Sequence, residues 1–320
     1  MSKGAKYYAC VLGGQMMWPV LAIEYPTGLY SFNEPNEESP VLVTVNYYLT
    51  VSRVMDSIER QGIRCHLLVV DGRGINVWCG SRGGHVNTAS VLDAIDEFKL
   101  AEAVNHRMLI LPQLIASAVS KPELKDNGWD AVFGPVDIDD VGEFIGNGFK
   151  KSAEQSLVTF ELRSRLEENL RHLVFETAMF LMMTPIFWVL SLFGGPLLDW
   201  FGFWSSNLIL LLLAAYAFGT FMSIADPMMP TTSGLVKGTI TGVLSLFLWK
   251  VVVVVFYMAP LVWLDTTGLT ILGLSIFVGF NWGGATPFMG EVQMERDIIV
   301  GLILLIAIFA LGFYFPGGLV

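Results

Sequence analysis

Cysteine, histidine and basic charge are all scarce in this chain. Its 320 residues hold three cysteines, four histidines and 19 lysines and arginines. Cys10, Cys65 and Cys79 form no C-x-x-C pair, and no cysteine–histidine grouping has zinc or iron–sulfur spacing. So small and odd a set excludes a disulfide framework and points to a reducing compartment. Any redox chemistry would draw its electrons from another protein. The balance of 19 basic against 29 acidic residues gives a net charge of −10. No basic stripe is left to neutralise phosphates, so nucleic acid is not a partner. Charged residues of both signs make up only 15% of the chain, where a soluble domain carries about 25%.

The charge that exists is unevenly placed. Of the 19 basic residues, 16 precede residue 173, and only Lys237, Lys250 and Arg296 follow it. With 53% hydrophobic residues and a mean hydropathy of +0.57, the second part of the chain reads as lipid-facing. Residues 7–23 follow two lysines and are partly apolar. Gly13, Gly14 and Gln15 interrupt them, and no small-x-small cleavage site follows, so the segment is a poor signal peptide and too short a span.

The first part alternates strands and helices. Apolar runs at 41–45, 66–71, 108–111 and 131–133 read as buried strands. Helical patterns fall at 50–61, stopped by Gly62, at 88–100 and at 139–148. Solid apolar strands alternating with helices imply a parallel sheet covered on both faces. Ligands in such folds sit beyond the carboxyl ends of the strands. Here those ends are Asn46, the loop after Asp71, Pro112 with Gln113, and Gly134 with Pro135.

Residues 160–172 form a charged helical connector. Five membrane spans follow, at about 174–193, 205–225, 240–264, 269–280 and 298–315. The fourth is short enough to be broken or re-entrant. Arg163, Arg165 and Arg171 flank the first span, and Lys237 and Arg296 are placed in loops on the same side. The positive-inside rule then puts the soluble domain in the cytoplasm and the C-terminus outside an inner, cytoplasmic membrane. Pro185, Pro260 and Pro287 suggest kinks, and Trp200, Trp204, Trp263 and Trp282 fit an interfacial belt. Lys250 lies inside the third span, where an ionisable group is either functional or snorkels to the interface. Asp226, Glu291, Glu295, Arg296 and Asp297 read mostly as solvated loop charges.

The most informative stretch runs from Asp71 to Gly84, DGRGINVWCGSRGG. It is a strand end, a glycine-flexible turn and then a single cysteine where a short helix would begin. Peptide N–H groups there favour a thiolate, and a soft thiolate suits a soft or borderline metal. Equally, a lone cysteine is often a small buried hydrophobe. The glycines at 72 and 74 lack the third glycine, at 77, of a dinucleotide fingerprint. A cysteine nucleophile would need a histidine, for which His66, His85 and His106 are available without a family signature.

At these residues the sequence resembles the mercury-methylation corrinoid protein family, a membrane-anchored relative of the corrinoid iron–sulfur protein of the acetyl-CoA pathway. That family carries N-V-W-C-A-x-G-K after a strand, and Asn76-Val77-Trp78-Cys79 stands intact here. Further similar blocks are YPTGLY at 25–30, SPVLVT at 39–44 with Asn46-Tyr47, HRMLILPQL at 106–114, Gly134-Pro135-Val136, and NWGGATPFMGEVQMERD at 281–297. The resemblance therefore covers both parts of the chain in order.

The resemblance implies an α/β Rossmann-like corrinoid-binding domain at 39–160, after an N-terminal extension at 1–38. A linker helix at 161–173 and an all-α transmembrane bundle of about five helices at 174–320 would follow. Cys79 would be the lower axial ligand of the cobalt and the catalytic residue. Thr44, Asn46, Asp71, Gly74, Asn76, Val77, Trp78, Gly80, Ser81, Arg82, Gln113, Gly134 and Pro135 would line the cofactor. A donating thiolate trans to a methyl group favours its transfer to an electrophilic metal ion, with Hg(II) as acceptor and methylmercury as product. Implied partners are a methyltetrahydrofolate-type methyl donor, a ferredoxin-like protein with two [4Fe–4S] clusters and the lipid bilayer. The chain departs from the family after Cys79: Gly80 replaces alanine and Gly83 replaces lysine, with Arg82 one position earlier. Arginine does not substitute simply for lysine. Two alternatives stay open: a corrinoid methyl carrier for another acceptor, and a non-catalytic membrane module that binds a cobamide. A membrane-anchored cysteine enzyme without cofactor is the third.

Overall fold

The structure is a computed structural model that describes residues 4–12, 22–194, 202–258, 265–286 and 291–314. The chain forms two compact units, Met1–Thr159 and Phe160–Val320.

The first unit is a five-stranded sheet in the order β1-β3-β2-β4-β5, made of β1 Gly28–Phe32, β2 Val41–Val45, β3 Cys65–Val70, β4 Met108–Leu111 and β5 Asp130–Phe133. The last four strands are parallel. The residues of β2, β3 and β4 are β-branched or Leu-rich and almost wholly buried, as strands covered on both faces must be, whereas the edge strand β5 is only partly buried. β1 corrects the expectation of a purely parallel sheet. It pairs antiparallel with β3, with Tyr30 opposite Leu67. Its half-buried pattern and Gly28 hide it from a search for solid apolar runs, and it lies in the segment at 1–38 read as an extension.

Connecting helices cover both faces. α2 (Tyr48–Gln61) ends at Gly62, whose φ of 64° is a left-handed cap that favours glycine. α2 and the helix Val141–Gly146 cover one face through Val51, Met55, Ile58 and Phe144. α4 (Thr88–Glu97) covers the other through Val91, Ala94 and Ile95. The helix expected at 88–100 stops at Glu97, because Lys99 turns left-handed with φ of 50°. α1 (Ala5–Val11) also belongs to this core, where Cys10 is fully buried. Residues 13–21 of the segment weighed as a signal peptide lie outside the described residues.

Chain order reverses between β2 and β4. From β2 the chain crosses to β3 on one side, then returns to β4 on the other. The carboxyl ends of β2 and β4 therefore flank a crevice at a topological switch point, the usual ligand position in open α/β sheets.

The second unit is helical. Three helices, Leu162–Ser191, Leu208–Met228 and Gly234–Phe256, are long and apolar enough to cross a membrane. Thr266–Ala285 and Glu291–Tyr314 are further long helices. The fourth expected span is thus an unbroken helix of 20 residues rather than a broken one. Glycine sets the closest packing. Gly234, Gly238 and Gly242 face Ser275, Gly279 and Gly283 across the helix pair, and Ser275 Oγ donates to Gly238 O at 2.9 Å. Such small-x-x-x-small faces let membrane helices approach backbone to backbone.

Several charges are less solvated than their sequence positions suggest. Lys237 is not in a loop but in the first turns of helix Gly234–Tyr257, buried and paired with buried Asp226, which also accepts from Trp282 Nε1 at 3.3 Å. Asp297 is buried and accepts from Ser233 Oγ at 2.6 Å, and Arg296 lies in a helix. Lys250, buried, donates to Asp265 Oδ2 at 2.7 Å, so it is paired within the protein and does not snorkel. Trp282 is a core residue, not part of an interfacial belt. Pro185 lies within Leu162–Ser191, whereas Pro260, Pro287, Trp200 and Trp263 lie outside the described residues.

Candidate functional site at the switch point

The site is built on Asn46, the first residue after β2. It is buried, and its side-chain carbonyl accepts from Gly72 N at 2.9 Å and Gly74 N at 3.0 Å. Its amide nitrogen donates to Asp71 Oδ1 at 3.0 Å, and the same carboxylate oxygen accepts from Arg73 N at 2.8 Å. The Asn46 side chain thus satisfies two backbone donors of the turn after β3, and Asp71 satisfies a third. Gly74 has φ of 65°, and a Cβ there would meet Glu24 Cγ at 2.7 Å, so both conformation and space require glycine.

That turn delivers α3 (Val77–Arg82). Asn76 caps it, accepting from Cys79 N at 2.8 Å. Val77, Gly80 and Ser81 face inward and are buried. Gly80 is packed as well as permissive, since a Cβ there would lie 3.2 Å from Ile75 and 3.3 Å from Val86. Ser81 Oγ donates within 3.1 Å of Leu114 O, which ties α3 to the short 3-10 turn Gln113–Ile115 after β4. α3 therefore spans from the β3 end towards the β4 end. Its other side presents Trp78, Cys79 and Arg82, with the Arg82 guanidinium 5.2 Å from the centre of the Trp78 indole.

The three cysteines separate clearly. Cys10 and Cys65 are fully buried, and burial pushes the Cys65 thiol up to about 12. Cys79 is half-buried. Of the three, it is the one with both access and a place at the crevice.

Across the crevice the structure adds a residue that the sequence did not suggest. Lys151 Nζ donates to Gln113 Oε1, to Phe133 O at 2.7 Å and to Gly134 O at 2.8 Å. Burial lowers its pKa from the ordinary lysine value. Gly134 and Pro135 are buried behind it, with Gly134 N donating to Leu111 O at 2.9 Å. No motif marks Lys151, which follows another lysine in a polar loop. Thr44 stands apart from the other candidates. It shares strand parity with Leu42, which packs on the α2 face, whereas Val77 of α3 packs on the opposite face.

The histidines divide in the same way. His66 sits near the start of β3, bonded to Ser31 Oγ and Asn36 O at 3.3 Å each. His106 precedes β4 and lies 2.9 Å from Ser39 O. Both are at the end of the sheet away from Cys79. His85 is close: a Cβ on Gly83 would fall 3.0 Å from His85 Cδ2 and 3.2 Å from Cys79 O. The imidazole thus fills the space into which a side chain at position 83 would project. Among the described residues no three histidines, cysteines or acids are grouped to hold a metal ion by themselves.

This geometry defines a doubly wound α/β domain with a single accessible cysteine at its switch point. Residues 18–145 match the family model CdhD, described as the CO dehydrogenase/acetyl-CoA synthase delta subunit. The chain is also similar to the gamma subunit of the acetyl-CoA decarbonylase/synthase complex from several archaea. It is 38% identical to that of Methanocaldococcus jannaschii over 125 residues, 39% of this chain and 25% of the relative. It is 37% identical to that of Methanopyrus kandleri over 123 residues, 38% and 26% of the two chains, and 34% identical to that of Archaeoglobus fulgidus over 119 residues, 37% and 25%. The chain thus spans about a quarter of the length of these relatives. The family match lies within the α/β unit and ends before the first long helix.

Proposed function

We propose that this chain is a membrane-anchored corrinoid protein that carries a methyl group, with the Cys79 thiolate as axial ligand of the cobalt. The observation that carries this reading is the placement of Cys79. It is the half-buried cysteine of three, and it sits on a hydrogen-bonded helix at the switch point, inside the span similar to the acetyl-CoA-pathway subunits. The donor set fits the group, because one soft thiolate, with no cluster of three metal-binding side chains among the described residues, would suit a metal whose remaining ligands come from a macrocycle.

When bound, the corrinoid supplies a cobalt that accepts a methyl group from a methyltetrahydrofolate-type donor and gives it up to an acceptor. The chain's own residues hold and orient. Asn76 fixes the backbone at Cys79, and Asn46 with Asp71 and Gly74 fixes the turn that precedes it. Val77, Gly80 and Ser81 anchor α3, while Trp78 and Arg82 flank the thiol on the outer face. Gln113, held by Lys151, with Gly134 and Pro135, forms the opposite wall. Thr44 belongs to the strand that positions Asn46.

We assign Hg(II) as the methyl acceptor, methylmercury as the product, and a ferredoxin-like protein with two [4Fe–4S] clusters as the electron donor. The chain contributes no cysteine pair of its own to that electron transfer. The α/β domain, at 39–160 with its extension at 1–38, lies in the cytoplasm. The linker at 161–173 and a five-helix bundle at 174–320 hold it at the inner membrane, with the C-terminus outside. The resemblance at 76–79 and 281–297 supports the mercury assignment.

The test is turnover by the full-length protein loaded with a cobamide and given a methyl donor, a low-potential reductant and Hg(II). Methylmercury formed by the wild type and lost in Cys79→Ala supports the whole reading. Methyl transfer to a different acceptor only would overturn the mercury assignment and leave the carrier role. A folded protein that retains no cobamide would overturn both.

A further inference from the structure

Helix Leu162–Ser191 turns one stripe inward, and that stripe changes chemistry halfway along. Arg165, Asn169, His172, Glu176, Phe180 and Met183 recur at steps of four, three, four, four and three, the spacing that keeps side chains on one helix face. The first four are 7%, 5%, 8% and 2% exposed. Beyond them, Phe180 and Met183 line an apolar cavity of about 250 Å³.

The polar half of the stripe is unsatisfied. Nε and Nη1 of Arg165, Nδ1 of His172 and Oε2 of Glu176 are buried with no hydrogen-bond partner among the described residues. Asn169 Oδ1 lies against Gly219 of helix Leu208–Ala225, leaving no room for a Cβ at that glycine. Nearby charges are already engaged: Arg171 pairs with Glu167 and Glu168, and Asp226 with Lys237. Thr177 Oγ1 and Tyr216 Oη bond to each other at 3.1 Å. Four orphaned polar atoms along three turns of one helix, from the linker into the start of the bundle at Glu176, are too costly to leave buried and dry.

The occupant must serve all of them. An anion would suit Arg165 but oppose Glu176, and a cation would suit Glu176 but oppose Arg165. Water accepts from the guanidinium, donates to the carboxyl group and can do either with the imidazole. We propose that Arg165, Asn169, His172 and Glu176 line a water-filled crevice, which enters the helical unit from the Arg165 end and stops at Phe180. The crevice brings water, and with it protons, to a carboxyl group inside a membrane bundle. Ionisable groups so placed line ion and proton paths. This inference uses no residue of the α/β domain and stands whether or not a corrinoid binds there.

The test is thiol accessibility in the full-length protein in its membrane, in a Cys79→Ser background that leaves the two fully buried cysteines in place. Asn169→Cys and His172→Cys should react with a small, charged methanethiosulfonate at least tenfold faster than Phe180→Cys and lipid-facing Leu181→Cys. Rates at 169 and 172 as slow as at 180 and 181 would overturn the crevice. Should either variant fail to accumulate, Arg165→Cys and Glu176→Cys carry the same comparison. A reactive position 165 with an unreactive 176 would equally overturn water access to Glu176.

Discussion

Asn46 Nδ2 donates to Asp71 Oδ1 at 3.0 Å, joining the ends of two neighbouring parallel strands just where the chain departs for Cys79. The Asn46 carbonyl takes the buried N–H groups of Gly72 and Gly74, so the side chain acts as a bracket for the turn. The positioning of Cys79 is thereby set by a residue 33 positions earlier in the chain.

Replacing Asn46 by alanine should leave two buried N–H groups without acceptors. The expected loss is about 1–3 kcal/mol in the stability of the α/β domain, read as a lower denaturation midpoint. Asn46→Asp should not rescue it, because a second carboxylate would face Asp71. A midpoint unchanged in both variants would show that the bracket is dispensable.

The three thiols should differ sharply in reactivity. Burial pushes the Cys65 thiol up to about 12, so it stays protonated at pH 8. Alkylation followed by peptide mass spectrometry should find Cys79 modified first, with Cys65 and Cys10 protected until the protein unfolds. The same shift predicts a pH effect. Above the ordinary thiol value of 9.0 the unfolded chain ionises Cys65 and the folded protein does not, so stability should fall as pH rises through that range. Cys65→Val should flatten this dependence.

Position 83 tests the departure from the mercury-methylation family. The His85 ring occupies the space next to Gly83, so Gly83→Lys should lower the midpoint by about 1–3 kcal/mol equivalent. Adding His85→Ala should recover most of that loss. Equal midpoints for all three proteins would show that the imidazole moves aside freely.

Helix packing in the second unit depends on backbone contact. A Cβ on Gly238 would lie 2.6 Å from Ser275 O and 2.9 Å from Gly279 Cα. Neither contact is with a flexible side chain, so Gly238→Ala should force the pair apart. Thermal unfolding in detergent should drop, whereas the same change at exposed Gly84 of the first unit should report only backbone strain.

The parallel strands and the Cys79 segment were legible in the sequence because each leaves a local mark. Buried parallel strands read as solid apolar runs, and the turn before α3 is rich in glycine and asparagine. β1 left no such mark, since a half-buried edge strand with a glycine, a serine and one tyrosine among its five residues has no run to find. Lys151 was hidden for a different reason. Its partners, Gln113, Phe133 and Gly134, are brought to it only by the sheet. In the second unit, hydropathy located the helices but not their faces. The spacing of Gly234, Gly238 and Gly242 was a readable signal for close packing, and the burial of Asp226 with Lys237 was not, because it joins a helix end to the next helix.

The most direct test of the central claim is the absorption spectrum of the full-length protein reconstituted with a cobamide, for wild type and Cys79→Ala. If Cys79 ligates the cobalt, both proteins retain the corrinoid and the spectrum changes when the thiolate is removed. Identical spectra in the two proteins would contradict ligation of the cobalt by Cys79.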